Sequence, residues 1–469
     1  MCKKICYGSI VLKIFNVVDV NDGRGWGMRR SLIIVFFCAN FCIRSEAKDR
    51  WITVFLHGGG AHPLYLNMSD TFKIIHDRVE RSIYERTTAL LRVDPFFQHL
   101  QPQQAVGFKK ANNVPFDSNN GAHLFALMYD TISQKVGLEL TQIYSFGWTG
   151  LLSINARRAA AKELYRMLAK TVANIRKEGD IPHIRLIGYS HGGNVCLHLE
   201  EEYRARGAAK AFTIDEFILV ATPVHVNTLQ YLSSSLFKKV YLFYSIGDNI
   251  QNSDFLSSPT HSFTHRIFQE NKEIKIPDHI TQVQIRFWRK SIAVIQEDGT
   301  RRVFRRHDMI QPNHTEMFFF GWTPEWYRKH FPIKPLSVGL LIPYFLRTIY
   351  DNNLSGQNLR FTIIPEEEHM IIYEKMTKET KMVPFFDQQT LMDLRNQLWQ
   401  YKPDHLNEYR ARMKAHWEVA KKEVREQCKQ ARAQLHQKRA QMRAKRIAKN
   451  NARTGRVRRV VTEKQANPS

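Results

Sequence analysis

One segment limits the folds open to this chain more than any other: residues 183 to 194, His-Ile-Arg-Leu-Ile-Gly-Tyr-Ser-His-Gly-Gly-Asn. Ile184, Leu186 and Ile187 form an apolar, β-branched run that reads as a strand, Gly188 breaks it, and a helical pattern begins just after Ser190. Strand, sharp turn and helix therefore meet at Gly188-Tyr189-Ser190-His191-Gly192, a G-x-S-x-G corner. The glycines have a physical reason. A side chain at 188 or 192 would crowd the strand–helix contact, and the strained corner lifts a serine hydroxyl above the sheet. The same turn aims backbone N–H groups of the helix start at the space beside that hydroxyl.

Further apolar runs argue for more strands of one sheet. Trp51 to Leu56 leads into His57-Gly58-Gly59-Gly60, Leu140 to Phe146 into Gly147-Trp148-Thr149-Gly150, Ile214 to Val220 into Ala221-Thr222-Pro223, and Val240 to Ile246 into Gly247-Asp248. Helical patterns lie between them, over 70–100, 122–134 and 154–177, with 101–120 as loop. Continuous apolar strands spaced by helices predict an α/β fold, a mostly parallel sheet with helices on both faces. Residues 281–306 read as extended segments with an Asp298-Gly299 hairpin turn. The stretch Leu336 to Tyr350, interrupted by Pro343, reads as a packed helix rather than a membrane span.

Charge separates the ends from this body. The formal net charge is +25, yet from residue 401 onward twenty Lys/Arg face six Asp/Glu, so more than half the excess belongs to the C-terminal region. The weakly heptad-spaced pattern over 386–450 predicts a charged helical extension, and 451–469 a disordered basic tail. At the other end, Met28-Arg29-Arg30, the apolar run Leu32 to Cys42, and Ser45-Glu46-Ala47 have the form of a secretory signal peptide, with translation starting at Met28. The expectation is an exported chain, secreted or periplasmic, with an N-terminal membrane anchor as the alternative. Residues 1–47 then precede a domain over 48–385. Four of the six cysteines fall in the first 42 residues, leaving Cys196 and Cys428, so neither a disulfide framework nor a metal-ligand spacing is expected.

A serine hydroxyl needs a base, and the base an orienting acid. In an open α/β sheet both partners belong on loops after later strands, at the carboxyl edge. Asp248 directly follows the Val240 run, while Asp254 sits deeper in the same loop. Among His261, His265, His279, His307, His314 and His330, His314 lies in a Pro-Asn loop before a helical run, and His307 is the alternative base.

The order Ser190, Asp248, His314, with the glycine loop upstream, resembles the α/β-hydrolase superfamily, and Gly-Tyr-Ser-His-Gly-Gly-Asn is similar to the elbows of its lipases and serine esterases. The resemblance covers roughly 50–335. It implies Ser190 as nucleophile, Asp248 as acid and His314 as base. The backbone N–H of His191, with that of Gly58 or Gly59, would form the oxyanion hole. It also implies ester hydrolysis without a cofactor or metal, on a small-molecule or lipid ester. A second class of function is a catalytically silent binding protein that keeps the elbow for folding. The basic extension would meet an anionic membrane surface; nucleic acid is disfavoured, for no recognised motif supports it.

Overall fold

The computed structural model describes residues 47–59, 68–102, 106–207, 211–254, 264–270, 275–289, 294–295, 301–302, 308–323 and 327–465. The chain divides into Met1–Lys48 and Asp49–Ser469, and every described strand and helix belongs to the second unit. The signal-peptide pattern before Ala47, Gly60, His261, His307 and the Asp298-Gly299 turn lie outside the described residues.

Thirteen strands are described: β1 (Asp49–Leu56), β2 (Gly107–Lys110), β3 (Gln142–Gly147), β4 (Ile181–Tyr189), β5 (Glu216–Val220), β6 (Val240–Tyr244), β7 (Ile280–Arg289), β8 (Val294–Ile295), β9 (Arg301–Arg302), β10 (Asp308–Ile310), β11 (Asn358–Ile364), β12 (His369–Glu374) and β13 (Thr380–Pro384). All but β8 and β9, which pair with each other, join one sheet of order β13-β12-β11-β7-β6-β5-β4-β1-β3-β2, with β10 on the end of β7. From β11 to β3 every neighbouring pair is parallel. Antiparallel strands flank that run on both sides. The sheet is therefore mixed, with the expected parallel strands at its centre.

The principal helices are α1 (Ile83–Val93), α2 (Gly121–Lys135), α3 (Ile154–Lys177), α4 (His191–Leu197), α5 (His314–Phe318), α6 (Ile342–Asp351), α7 (Gln388–Trp399) and α8 (Tyr409–Gln465). Strand alternation distributes the apolar side chains to two faces. Phe55, Ile187, Ile218, Val220, Tyr241 and Phe243 point into one core with α2, α5 and α6. Val54, Leu186, Phe217, Leu219 and Leu242 point the other way, against Leu164 and Leu168 of α3 and Val195 of α4. Each such side chain contributes about 1.5–3 kcal/mol on full burial, so both faces must be covered.

Four expectations are corrected. The segment 101–120 is not all loop, since β2 pairs antiparallel with β3 there. Pro343 does not interrupt a helix but occupies the first turn of α6, where its missing N–H costs nothing. The boundary at 386 does not separate body from extension, because Leu391, Leu394 and Leu398 of α7 and Tyr409 and Met413 of α8 complete the first core. Finally, α8 runs unbroken through 57 residues to Gln465, about 85 Å at 1.5 Å per residue, so the disorder expected over 451–469 is replaced by helix as far as 465. Among the described residues no helix is long and apolar enough to cross a membrane.

Candidate active site

Ser190 stands between the end of β4 and the start of α4, with φ 51° and ψ −128°. A non-glycine residue there carries strain of order 1–3 kcal/mol, held by its surroundings. The Ser190 N–H donates to the Val220 carbonyl at 2.9 Å, and its carbonyl accepts from Gly193 N–H at 3.0 Å. The glycines are steric necessities. A Cβ at Gly188 would lie 2.5 Å from the Gly193 Cα, and one at Gly192 would lie 2.5 Å from the His57 carbonyl oxygen.

One predicted partner, His314, meets the serine, and the other, Asp248, meets His314. His314 Nε2 lies 3.0 Å from Ser190 Oγ, and His314 Nδ1 lies 2.7 Å from Asp248 Oδ2. Asp248 is fully buried, and its other oxygen accepts from the Gln251 N–H at 3.1 Å. An ionised carboxylate only accepts, so the imidazole proton belongs on Nδ1 and the Nε2 lone pair faces the hydroxyl. His307, the alternative base, lies outside the described residues. Asp254, the competing acid, faces His191 and His225 instead.

The route by which His314 arrives is local chemistry. After β7 the chain returns as β10, antiparallel to the end of β7, and enters the Gln311-Pro312-Asn313 loop. Asn313 caps α5 by accepting from the Glu316 N–H at 3.0 Å, while Glu316 accepts from the Asn313 N–H at 2.9 Å, a capping box. Glu316 is itself buried and paired with Arg328, which also donates to the Gln311 carbonyl at 2.7 Å. Tyr189, which precedes the serine in the elbow, donates its hydroxyl to the His314 carbonyl at 2.9 Å and stacks on Phe318. On the acid's side, Gly247 lets its loop close on the base's loop, for a Cβ there would lie 2.5 Å from the Gln311 carbonyl oxygen. Motif spacing around the triad does not announce these positioning residues. The Asn-x-x-Glu spacing at 313–316 is the one signal available for any of them.

The glycine loop lies against the serine. A Cβ at Gly58 would come within 2.9 Å of Ser190 Cβ, and one at Gly59 within 3.1 Å of His191 Cδ2. His191 is the first residue of α4, and the first N–H groups of a helix lack intrahelical acceptors. His57 fastens the loop: Nδ1–H donates to the Gly58 carbonyl at 2.6 Å, and Nε2 accepts from the Trp148 N–H at 3.2 Å. Burial and the neighbouring Arg92 guanidinium hold the His57 imidazole neutral, well below its ordinary pKa. Burial likewise lowers Arg92, to about 9.

Behind the elbow is a second polar group that sequence spacing did not announce. His191 Nε2 and His225 Nε2 lie 3.3 and 3.4 Å from Asp254 Oδ2, and Arg157 approaches His191 Nδ1 at 3.4 Å. Burial pushes His191 down to about 4 and His225 to about 3. The absence of any metal-ligand spacing in the sequence thus did not exclude a cluster of metal-ligand type, because its members come from three separate loops.

Compared with family models, with curated proteins and with solved structures, the chain matches none of them.

Proposed function

We propose that the chain is a serine hydrolase of α/β-hydrolase type that cleaves carboxylic esters through an acyl-enzyme. The observation that carries this reading is the hydrogen-bonded line Ser190 Oγ, His314 imidazole, Asp248 carboxylate, at 3.0 and 2.7 Å on the carboxyl edge of the sheet's parallel centre. In the first step Ser190 Oγ attacks the ester carbonyl carbon while His314 Nε2 takes the hydroxyl proton. Asp248 holds the imidazole and stabilises the imidazolium. The N–H groups of His191 and of Gly58 or Gly59 receive the oxyanion. His314 then returns the proton to the departing alkoxide, leaving an acyl-serine. Water, deprotonated by the same nitrogen, releases the acid and restores the serine. A silent binding protein would not need an imidazole within reach of the hydroxyl, so the geometry favours the enzyme. Hydrolysis of p-nitrophenyl esters from acetyl to palmitoyl tests the activity and ranks small against lipid-like acyl chains. Full activity in Ser190→Ala would end this reading.

The C-terminal helix supports a peripheral role in addition. Between Gln427 and Gln465 the sequence carries thirteen Lys/Arg against one acidic residue, Glu463. Such a segment is attracted to anionic lipid by about 1 kcal/mol per basic residue at the surface. The near end of α8 belongs to the core, so the informative deletion starts at 427. That truncation should abolish low-salt cosedimentation with phosphatidylserine vesicles while leaving ester hydrolysis intact; unchanged binding would refute the membrane role.

A further inference from the structure

His191 opens α4, His225 follows β5, and Asp254 follows the short helix after β6, so three loops at the carboxyl edge converge on one buried spot. Their ligand atoms all lie within 4.8 Å of one another. The shared carboxylate oxygen stands 3.3 Å from one imidazole nitrogen and 3.4 Å from the other. A tetrahedral ion with bonds of about 2.0–2.1 Å to nitrogen and oxygen has ligand–ligand edges of about 3.3 Å. A second observation points the same way. His225 is only 2 % exposed, yet neither of its ring nitrogens forms a hydrogen bond among the described residues. Buried polar atoms are ordinarily satisfied, and an imidazole left in this state lacks an electron-pair acceptor.

We propose that His191, His225 and Asp254 form a binding site for a divalent transition-metal ion, of which zinc fits the donor set best. Two imidazoles and one carboxylate suit Zn²⁺ rather than Ca²⁺ or Mg²⁺, which prefer all-oxygen shells, and three protein ligands leave a fourth position open. Arg157 sets the strength of the site. A guanidinium only donates, so in the metal-free protein His191 accepts on Nδ1 and carries its proton on Nε2. When Nε2 binds the ion, the proton moves to Nδ1 and meets a donor, and the ion meets a cation. The site is therefore weakened by its own neighbour, and an anionic fourth ligand such as hydroxide would offset the added charge. Replacing Arg157 by Gln offers an amide oxygen to Nδ1–H, the partner that metal-bound imidazoles ordinarily have.

The test uses the full chain, stripped with chelator and dialysed against zinc chloride. One zinc per chain is expected by elemental analysis, with Co²⁺ in its place giving the visible absorption of a tetrahedral site. His225→Ala and Asp254→Asn should each weaken binding at least about tenfold, and Arg157→Gln should tighten it. Ser190→Ala should bind as the parent does, which separates this proposal from the catalytic one. Absence of the tetrahedral cobalt spectrum in the parent chain, a measurement that needs no variant to fold, would overturn the proposal. So would zinc uptake that His225→Ala and Asp254→Asn leave unchanged, since that would be adventitious binding elsewhere.

Discussion

Replacing Asp248 by Asn changes the hydrogen-bond character of one buried position without changing its shape. Oδ1 keeps its acceptor role toward the Gln251 N–H, which leaves the amide nitrogen where Oδ2 stood, 2.7 Å from His314 Nδ1. An amide N–H there demands a lone pair on Nδ1, so the imidazole proton moves to Nε2. That nitrogen faces Ser190 Oγ at 3.0 Å and, once protonated, cannot accept the serine proton. The expected loss is about 10⁴-fold in kcat, or about 5.5 kcal/mol at about 1.36 kcal/mol per decade. The KM should change little, because Asp248 is fully buried and its Oδ2 is engaged by His314. Stopped-flow release of p-nitrophenol would show the burst of acylation slowed by that factor, and a thermal melt within a few degrees of the parent would exclude unfolding. A well-folded Asp248→Asn enzyme within about tenfold of the parent would refute the tautomer shift and the role assigned to Asp248.

Packing and burial fix three further outcomes. Gly188→Ala sets a Cβ 2.5 Å from the Gly193 Cα, backbone against backbone, and should cost about 1–3 kcal/mol or more in urea unfolding together with most of the activity; an unperturbed midpoint would contradict the close approach of β4 and α4. Arg185 is fully buried in β4 and donates to Glu216 at 2.5 Å, so Glu216→Ala strands a cation and should destabilise by about 3–5 kcal/mol, whereas a loss under about 1 kcal/mol would show that the pair is hydrated. His191 is held near pKa 4 in the folded chain against 6.5 unfolded, so the unfolded state binds the extra proton: in chelator-treated protein its share of stability is complete above pH 6.5 and falls by about 3 kcal/mol as pH drops through that window to about 4. Removing the imidazole in His191→Gln should flatten that part of the pH profile, and an unchanged slope would contradict its neutral burial.

The parallel centre of the sheet was legible because the buried stretches of β1, β4, β5 and β6 are covered on both faces and are therefore mostly apolar. Glycines at the ends of the β1, β4 and β6 runs marked the carboxyl edge, and with it the side on which Ser190 and Asp248 had to meet. The edges were less legible. Strand β2 is four residues long and half-exposed, too short for alternation to register, and Arg185 sits in a central strand only because Glu216 answers it from the next one. The helix beyond 450 misled by composition, since heavy charge without an apolar face is equally the mark of a solvated helix. His314 could be favoured over its rivals from its loop, and the Asn313–Glu316 cap is local, but Tyr189 and Arg328 hold that loop through contacts 125 and 12 residues apart. The cluster of His191, His225 and Asp254 has no sequence spacing at all, since the fold assembles it from three loops.

The central claim is that Ser190 is a nucleophile made reactive by His314. The direct measurement is covalent labelling with a fluorophosphonate, followed by mass mapping of the adduct. The expected result is one adduct per chain on Ser190, none in Ser190→Ala, and labelling slowed by several orders of magnitude in folded His314→Gln. An adduct on another residue, or a Ser190 that labels equally fast without the imidazole, would contradict the claim.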